Sequence, residues 1–139
     1  MKEKYTIPLS KIVDEFHLEV LVRPEQYESI LVDTPEVNRP GLALAGFLDA
    51  FDGDRIQLIG RAETQYLSSL DDATRCRMLH NYVDAHPVAV LYTTGIAPDE
   101  ALLERARLRG VPVLRTAVKT SPMMASLIGF LKALLWFQR

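Results

Sequence analysis

The apolar positions of this chain change period repeatedly, from the two-residue alternation of strands to the three-and-four spacing of helices. Ile7-Pro8-Leu9 predicts the opening of a short helix, with Pro8 suited to the first turn and Ile12 and Phe16 on the inner face. Residues 17–22 alternate towards a strand through Leu18, Val20 and Val22, and residues 29–32 read as another. Pro40-Gly41 starts a helix with Leu44, Phe47, Leu48 and Phe51 on one stripe, stopped by the turn Asp52-Gly53-Asp54. Residues 56–60 form a strand ending in Gly60, and residues 62–70 a short helix. Asp71 or Asp72 caps the next helix, which carries Cys76, Leu79 and Val83 at helical spacing and ends before Pro87.

Val88-Ala89-Val90-Leu91-Tyr92 is a nearly continuous apolar run, as in a strand buried on both faces of a parallel sheet. Thr93-Thr94-Gly95 follows as a loop. Pro98-Asp99-Glu100 is a helix start, with proline in the first turn and acids at the positive end of the dipole. Gly110 ends that helix and residues 111–115 form a further strand. Ser121-Pro122 opens the last helix, with Met124, Leu127, Ile128, Leu131, Leu134 and Leu135 at helical spacing. No internal repeat or linker interrupts the alternation. It predicts an α/β fold, a single domain over residues 1–139, with a mostly parallel sheet of about five strands and helices on both faces.

Composition narrows the function classes. With 16 Lys and Arg against 18 Asp and Glu the net charge is -2, which carries no electrostatic footprint for nucleic acid. Cys76 is the one cysteine, so no internal disulfide forms, in keeping with a reducing compartment such as the cytoplasm. Met1-Lys2-Glu3-Lys4-Tyr5 lacks the apolar segment of a secretory signal. Residues 123–137 are almost wholly apolar, but Lys132 interrupts them and they fall short of the ~20 residues of a membrane span, so they read as a core helix. Leu134-Leu135-Trp136-Phe137 is an apolar ending that implies either packing on another chain or a polypeptide that continues.

The chemistry-bearing residues form few patterns. A phosphate-gripping loop needs glycines, for close backbone approach, and a lysine, yet the chain has no Gly-Lys step and no Gly-x-Gly-x-x-Gly. Cys76 and His80 share a helix face with His86 near in sequence, but two such ligands do not make a metal site, and a core cysteine beside a partly exposed histidine explains them. His17 has no partner motif. Asp71-Asp72 and Asp99-Glu100 suit helix N-termini better than an acid/base couple. No catalytic, cofactor-binding or metal-ligating residue is assigned. One anion-binding edge is expected, because parallel sheets bind ligands at strand carboxyl ends. It comprises Asn38, Arg39, Arg61, Thr93 and Thr94, with Gly60, Gly95 and Thr116 beside them. Arg61 could pair with Glu63 or with an anion, and turn and cap duties alone would also account for Asn38, Thr93 and Thr94.

The block Val37-Asn38-Arg39-Pro40-Gly41-Leu42-Ala43-Leu44-Ala45-Gly46-Phe47 is followed by Arg55-Ile56-Gln57-Leu58-Ile59-Gly60-Arg61-Ala62-Glu63 and Tyr66-Leu67. Pro98, residues 100–103, Gly110-Val111-Pro112-Val113-Leu114-Arg115-Thr116 and Thr120-Ser121 come later in the same order. Together they resemble the N-terminal domain of the bacterial HPr kinase/phosphorylase family. The resemblance implies a fold similar to the substrate domain of Mur ligases. It further implies a cytoplasmic, hexameric enzyme of carbon catabolite control that phosphorylates a serine of HPr, the carrier of the phosphotransferase system, and removes that phosphate. ATP or pyrophosphate with magnesium serves the kinase reaction, in a C-terminal phosphate-loop domain that would begin beyond this chain. On that reading this chain has an assembly or regulatory role, with its own catalytic domain, neighbouring subunits and HPr as partners. The alternatives are a stand-alone module binding a phosphorylated metabolite or nucleotide at the strand ends, or a small enzyme using Cys76 or His80.

Overall fold

The computed structural model describes residues 5–49 and 51–136. β1 (Ile7–Pro8) leads directly into α1 (Leu9–Phe16), followed by β2 (Glu19–Val22), a 3-10 turn at Tyr27–Ser29, β3 (Leu31–Val32) and β4 (Val37–Asn38). Next come α2 (Gly41–Leu44), β5 (Ile56–Ile59), α3 (Arg61–Ser68), α4 (Asp72–Asp84) and β6 (Val90–Tyr92). α5 (Glu100–Arg109), β7 (Val113–Arg115) and α6 (Thr120–Trp136) complete the chain. The main sheet has five strands in the order β2-β7-β6-β5-β4. β4 to β7 are mutually parallel, and β2 adds an antiparallel edge to β7 with a register shift between Val20 and Val22. β1 and β3 form a separate antiparallel pair.

Alternation along the central strands divides the core in two. Leu58, Leu91 and Leu114 face α1 and α6, where they meet Ile12, Val13, Met123, Leu127, Leu131 and Leu135. Ile59, Val90, Tyr92 and Val113 face the other side and meet Leu44, Leu67, Leu79, Tyr82, Val83, Leu102 and Ala106 of α2 to α5. Each fully buried side chain of this size contributes roughly 1.5–3 kcal/mol. Right-handed crossovers that step along the sheet in one direction place α2 to α5 on a single face. The other face is left for α1 and α6. The architecture is the expected α/β sheet with helices on both sides.

Several expected elements differ in detail. Ile7 and Pro8 pair as a strand, and the helix begins only at Leu9. Within residues 29–32 only Leu31–Val32 is strand, since Ser29 ends the 3-10 turn. The expected helix from Pro40 to Phe51 is a single turn. Gly46 adopts φ 101°, which breaks the helix and leaves Phe47 exposed instead of on a buried stripe. β4, two residues long, carries no readable period. Cys76 is half-buried, not in the core, because Leu79, Tyr82 and Val83 take the inner face of α4. The buried seam of α6 runs Met123, Leu127, Leu131, Leu135, with Met124, Ile128 and Leu134 half-buried beside it. Leu135 therefore packs within this chain's own core, while Phe137 lies outside the described residues.

Two polar devices hold the layers. Gln57, fully buried on β5, satisfies both ends of its amide. Its Nε2 donates to the carbonyls of Asp52 and Arg55 at 3.1 and 2.8 Å. Its Oε1 accepts from Tyr82 Oη at 3.2 Å and from Asn38 Nδ2 at 3.4 Å. Asp84 at the end of α4 is clamped by Arg105, at 2.8 and 2.7 Å, and by Arg109 at 3.0 Å, both from α5. The hydrogen-bonded Arg105 guanidinium, aided by Arg109 and opposed by partial burial, holds the Asp84 carboxyl down at about 2.

Gln57→Leu leaves the Tyr82 hydroxyl and the turn carbonyls without that amide, and is expected to cost roughly 2–4 kcal/mol in urea unfolding, against about 1 kcal/mol for Tyr82→Phe. The Asp84 clamp sets a second expectation. Because its folded pKa lies below that of an ordinary aspartate, its stabilisation is complete above about pH 5 and is lost as pH falls through 4 towards 2. Asp84→Asn should therefore lower the unfolding midpoint at pH 7 and converge on the parent protein near pH 2. An offset that stays constant with pH would place the effect elsewhere.

Candidate functional site: a cationic cleft at the strand carboxyl ends

Parallel pairing brings the carboxyl ends of β4, β5, β6 and β7 to one edge of the sheet. There β4 passes into Arg39, β5 into Gly60 and Arg61, β6 into Thr93-Thr94-Gly95 and β7 into Thr116. α3 starts at Arg61 on one face of the sheet, and α6 starts at Thr120 on the other. Both N-termini arrive at this edge and enclose an open cleft of about 540 Å³. Arg39, Arg61 and Lys119 line it, together with Thr94, Thr120 and Ser121.

The base of the cleft is tightly built. Glu63, only 6% exposed, accepts from Arg39 Nη2 at 2.7 Å and from the Gly60 N–H at 2.8 Å through the same Oε1. A buried carboxylate requires such partners, and the pair fixes Arg39 across the end of β5. Thr93 is fully buried, with its hydroxyl 2.6 Å from that of Thr120, which ties the end of β6 to the start of α6. Both hydroxyls and Arg39 Nη2 crowd over the Gly60 Cα. A Cβ there would stand 3.2 Å from Arg39 Nη2 and 3.3 Å from Thr93 Oγ1, and would overlap Thr120 Oγ1. Thr94 takes φ 60°, a left-handed conformation rare for a β-branched residue. It is held there by its N–H donating to the Val118 carbonyl at 2.8 Å and by Gly95 N–H donating to the Thr116 carbonyl at 2.9 Å.

Of the residues expected at this edge, Arg39, Arg61 and Thr94 line one cleft. Thr93 lies beneath it with its hydroxyl engaged, so it positions rather than contacts. Asn38 turns to Gln57 and lines a neighbouring hollow with Leu42 and Phe47. Glu63 pairs with Arg39, not with Arg61. Among the described residues, Arg61 and Lys119 have no ion-pair partner. Lys119, Thr120 and Ser121 were not among the expected edge residues. They enter because the segment after β7 turns back across the strand ends before α6 begins, and the only signal for that was the helix start at Ser121-Pro122. His17 and His86 both take positive φ at helix ends, His17 closing α1. Cys76 and His80 stay half-buried on α4, and no group of three or more His, Cys, Asp or Glu side chains suited to a metal occurs among the described residues. No helix among them is long and apolar enough to cross a membrane.

Gly60→Ala must break the Thr93–Thr120 hydrogen bond or displace α6. A loss of about 1–3 kcal/mol in thermal or urea unfolding is expected, larger than that of Gly41→Ala, where a Cβ meets open space.

Comparison with known proteins places this geometry. A family described as "HPr Serine kinase N terminus" matches residues 7–131. The HPr kinase/phosphorylase of Lachnoclostridium phytofermentans is 35% identical over 128 residues, covering 92% of this chain and 41% of that protein. That of Leptospira biflexa is 36% identical over 107 residues, covering 77% of this chain and 33% of that protein. The chain thus spans about two-fifths or less of the length of these curated relatives. Among solved structures, the fold is similar to that of the CBS and DRTGG domains of the regulatory region of Clostridium perfringens pyrophosphatase, complexed with its activator diadenosine tetraphosphate. The TM-score is 0.60 at 17% identity, over 87% of this chain and 45% of that one.

Proposed function

The chain belongs to the HPr serine kinase N-terminus family, and from that membership we propose that it serves as the non-catalytic N-terminal domain of a bifunctional HPr kinase/phosphorylase, with an assembly or regulatory role. The observation that carries this reading is the family match over residues 7–131, beside relatives more than twice as long as this chain. The chain contains no Gly-Lys step with which to grip a transferable phosphate. On this reading the ATP or pyrophosphate chemistry, with its magnesium, belongs to a separate catalytic domain. HPr and neighbouring subunits would be met through the whole enzyme.

A second reading rests on the cationic cleft: a regulatory module that binds a phosphorylated metabolite or nucleotide at the strand carboxyl ends. The structural neighbour is itself a regulatory region complexed with a nucleotide activator, which supports a regulatory use of this fold.

Incubated with HPr and either Mg-ATP or Mg-pyrophosphate, the 139-residue chain is expected to yield no phosphoserine by mass spectrometry, and phosphorylated HPr would sink the first reading. The open reading frame beyond Arg139 is expected to continue into a Gly-x-x-x-x-Gly-Lys-Ser/Thr segment. A stop codon there, with a native mass of 15.7 kDa, would leave the second reading in its place.

A further inference from the structure

We propose that the cleft between the N-termini of α3 and α6 is a phosphate-binding site gripped by Arg61 and Lys119, with Arg39 fixed as a positioning cation by Glu63. The inference deepens the second reading above and rests on it. Its ligand class is the phosphate end of a small phosphorylated metabolite.

Three observations converge. First, the charge is one-signed where it is accessible: Arg39, Arg61 and Lys119 come from three separate segments, and the nearby carboxylate, Glu63, is buried and spent on Arg39 and the Gly60 N–H. Second, Arg61 and Lys119 stand where helix electrostatics disfavour them. A helix N-terminus carries partial positive charge and attracts acids, as α4 does with Asp71 and Asp72 and α5 with Asp99 and Glu100. Arg61 is instead the first residue of α3, a helix already capped by Glu63 in its first turn, and Lys119 directly precedes α6, which has no acid in its first turn. The positive end of α6 and two unpaired cations facing one cleft repel one another until an anion lies between them. Third, the cleft is assembled rather than incidental. The Arg39–Glu63 pair and the Thr93–Thr120 hydrogen bond lock its floor, and Gly60 leaves the room that floor requires.

The lining also limits what is read. It contains no aromatic side chain, and its apolar residues are Ala62 and Pro122. A nucleobase would find no aromatic ring to stack on, and the cations favour the phosphate, so recognition goes through the phosphate.

Isothermal titration of the 139-residue chain with inorganic phosphate, pyrophosphate and AMP tests the site, at low salt and at 0.2 M salt. Phosphate or pyrophosphate binding is expected to weaken with salt and to fall about tenfold or more in Arg61→Gln and in Lys119→Gln. Arg107→Gln, on an exposed position of α5, should leave it unchanged, and circular dichroism confirms that each variant is folded. AMP should bind no more tightly than pyrophosphate. If phosphate binding survives both cleft substitutions, the site assignment is overturned while the regulatory-module reading stands with its site elsewhere. If AMP binds far more tightly than pyrophosphate, the claim that the phosphate alone is read is overturned. If none of the three probes binds, both the site and the reading beneath it fail.

Discussion

The parallel pairing of β4, β5, β6 and β7 is the constraint on which the rest of the molecule depends. Parallel neighbours cannot be joined by a tight turn, so each step along the sheet needs a crossover, and right-handed crossovers stepping one way all land on one face. α2 to α5 occupy that face. The strands are apolar on both sides, so the opposite face must also be covered. α1 and α6 do this, with the Met123, Leu127, Leu131 and Leu135 seam lying over Leu58, Leu91 and Leu114. The same pairing aligns the strand carboxyl ends, which is why residues from four loops meet at one edge.

Polar burial within this frame is sparse and fully partnered. Among the described residues the buried polar side chains are Gln57, Glu63 and Thr93, and each spans elements that apolar packing alone would leave free to slide. Gln57 joins β5 to α4 and to the turn before β5. Glu63 joins the start of α3 to the segment leaving β4, and Thr93 joins β6 to α6. No buried side-chain polar atom among the described residues lacks a partner, so these contacts specify register without leaving a desolvated group unpaired. The Asp84 clamp does the same for α4 and α5 at the surface, where its effect is smaller and depends on pH.

The cleft shows how little of a site a linear pattern reveals. Arg61 and Thr94 were legible because each follows a recognisable strand, and strand ends are where parallel sheets bind ligands. Asn38 and Arg39 were expected at the same edge with no readable strand before them; Arg39 lines the cleft, while the Asn38 amide completes the Gln57 network. Thr93 followed the same logic, but its hydroxyl is consumed by Thr120. Lys119 carried no signal of its own and Ser121 only that of a helix start, since their approach depends on the path taken from β7 across the strand ends to the opposite face. The Arg39–Glu63 pair was likewise invisible, because it joins positions 24 residues apart through the spacing of β4 and β5.

The sequence by itself determined the order and type of the long elements, the two-faced burial of β6, a cap at Asp71 or Asp72, a helix start at residues 98–100, and the family. These are local properties, written in side-chain period, in residues that suit helix ends, and in blocks of consecutive residues. Only the tertiary structure decided the rest. Two-residue strands such as β1, β3 and β4 are too short to show a period and exist only because a neighbour pairs with them. The helix expected after Pro40 stops at one turn because Gly46 adopts a left-handed backbone, which overrides the apolar stripe. The cleft arises because α3 and α6, on opposite faces of the sheet, both begin at its carboxyl edge. That meeting of distant residues depends on strand order and crossover hand, and neither is encoded within any single segment.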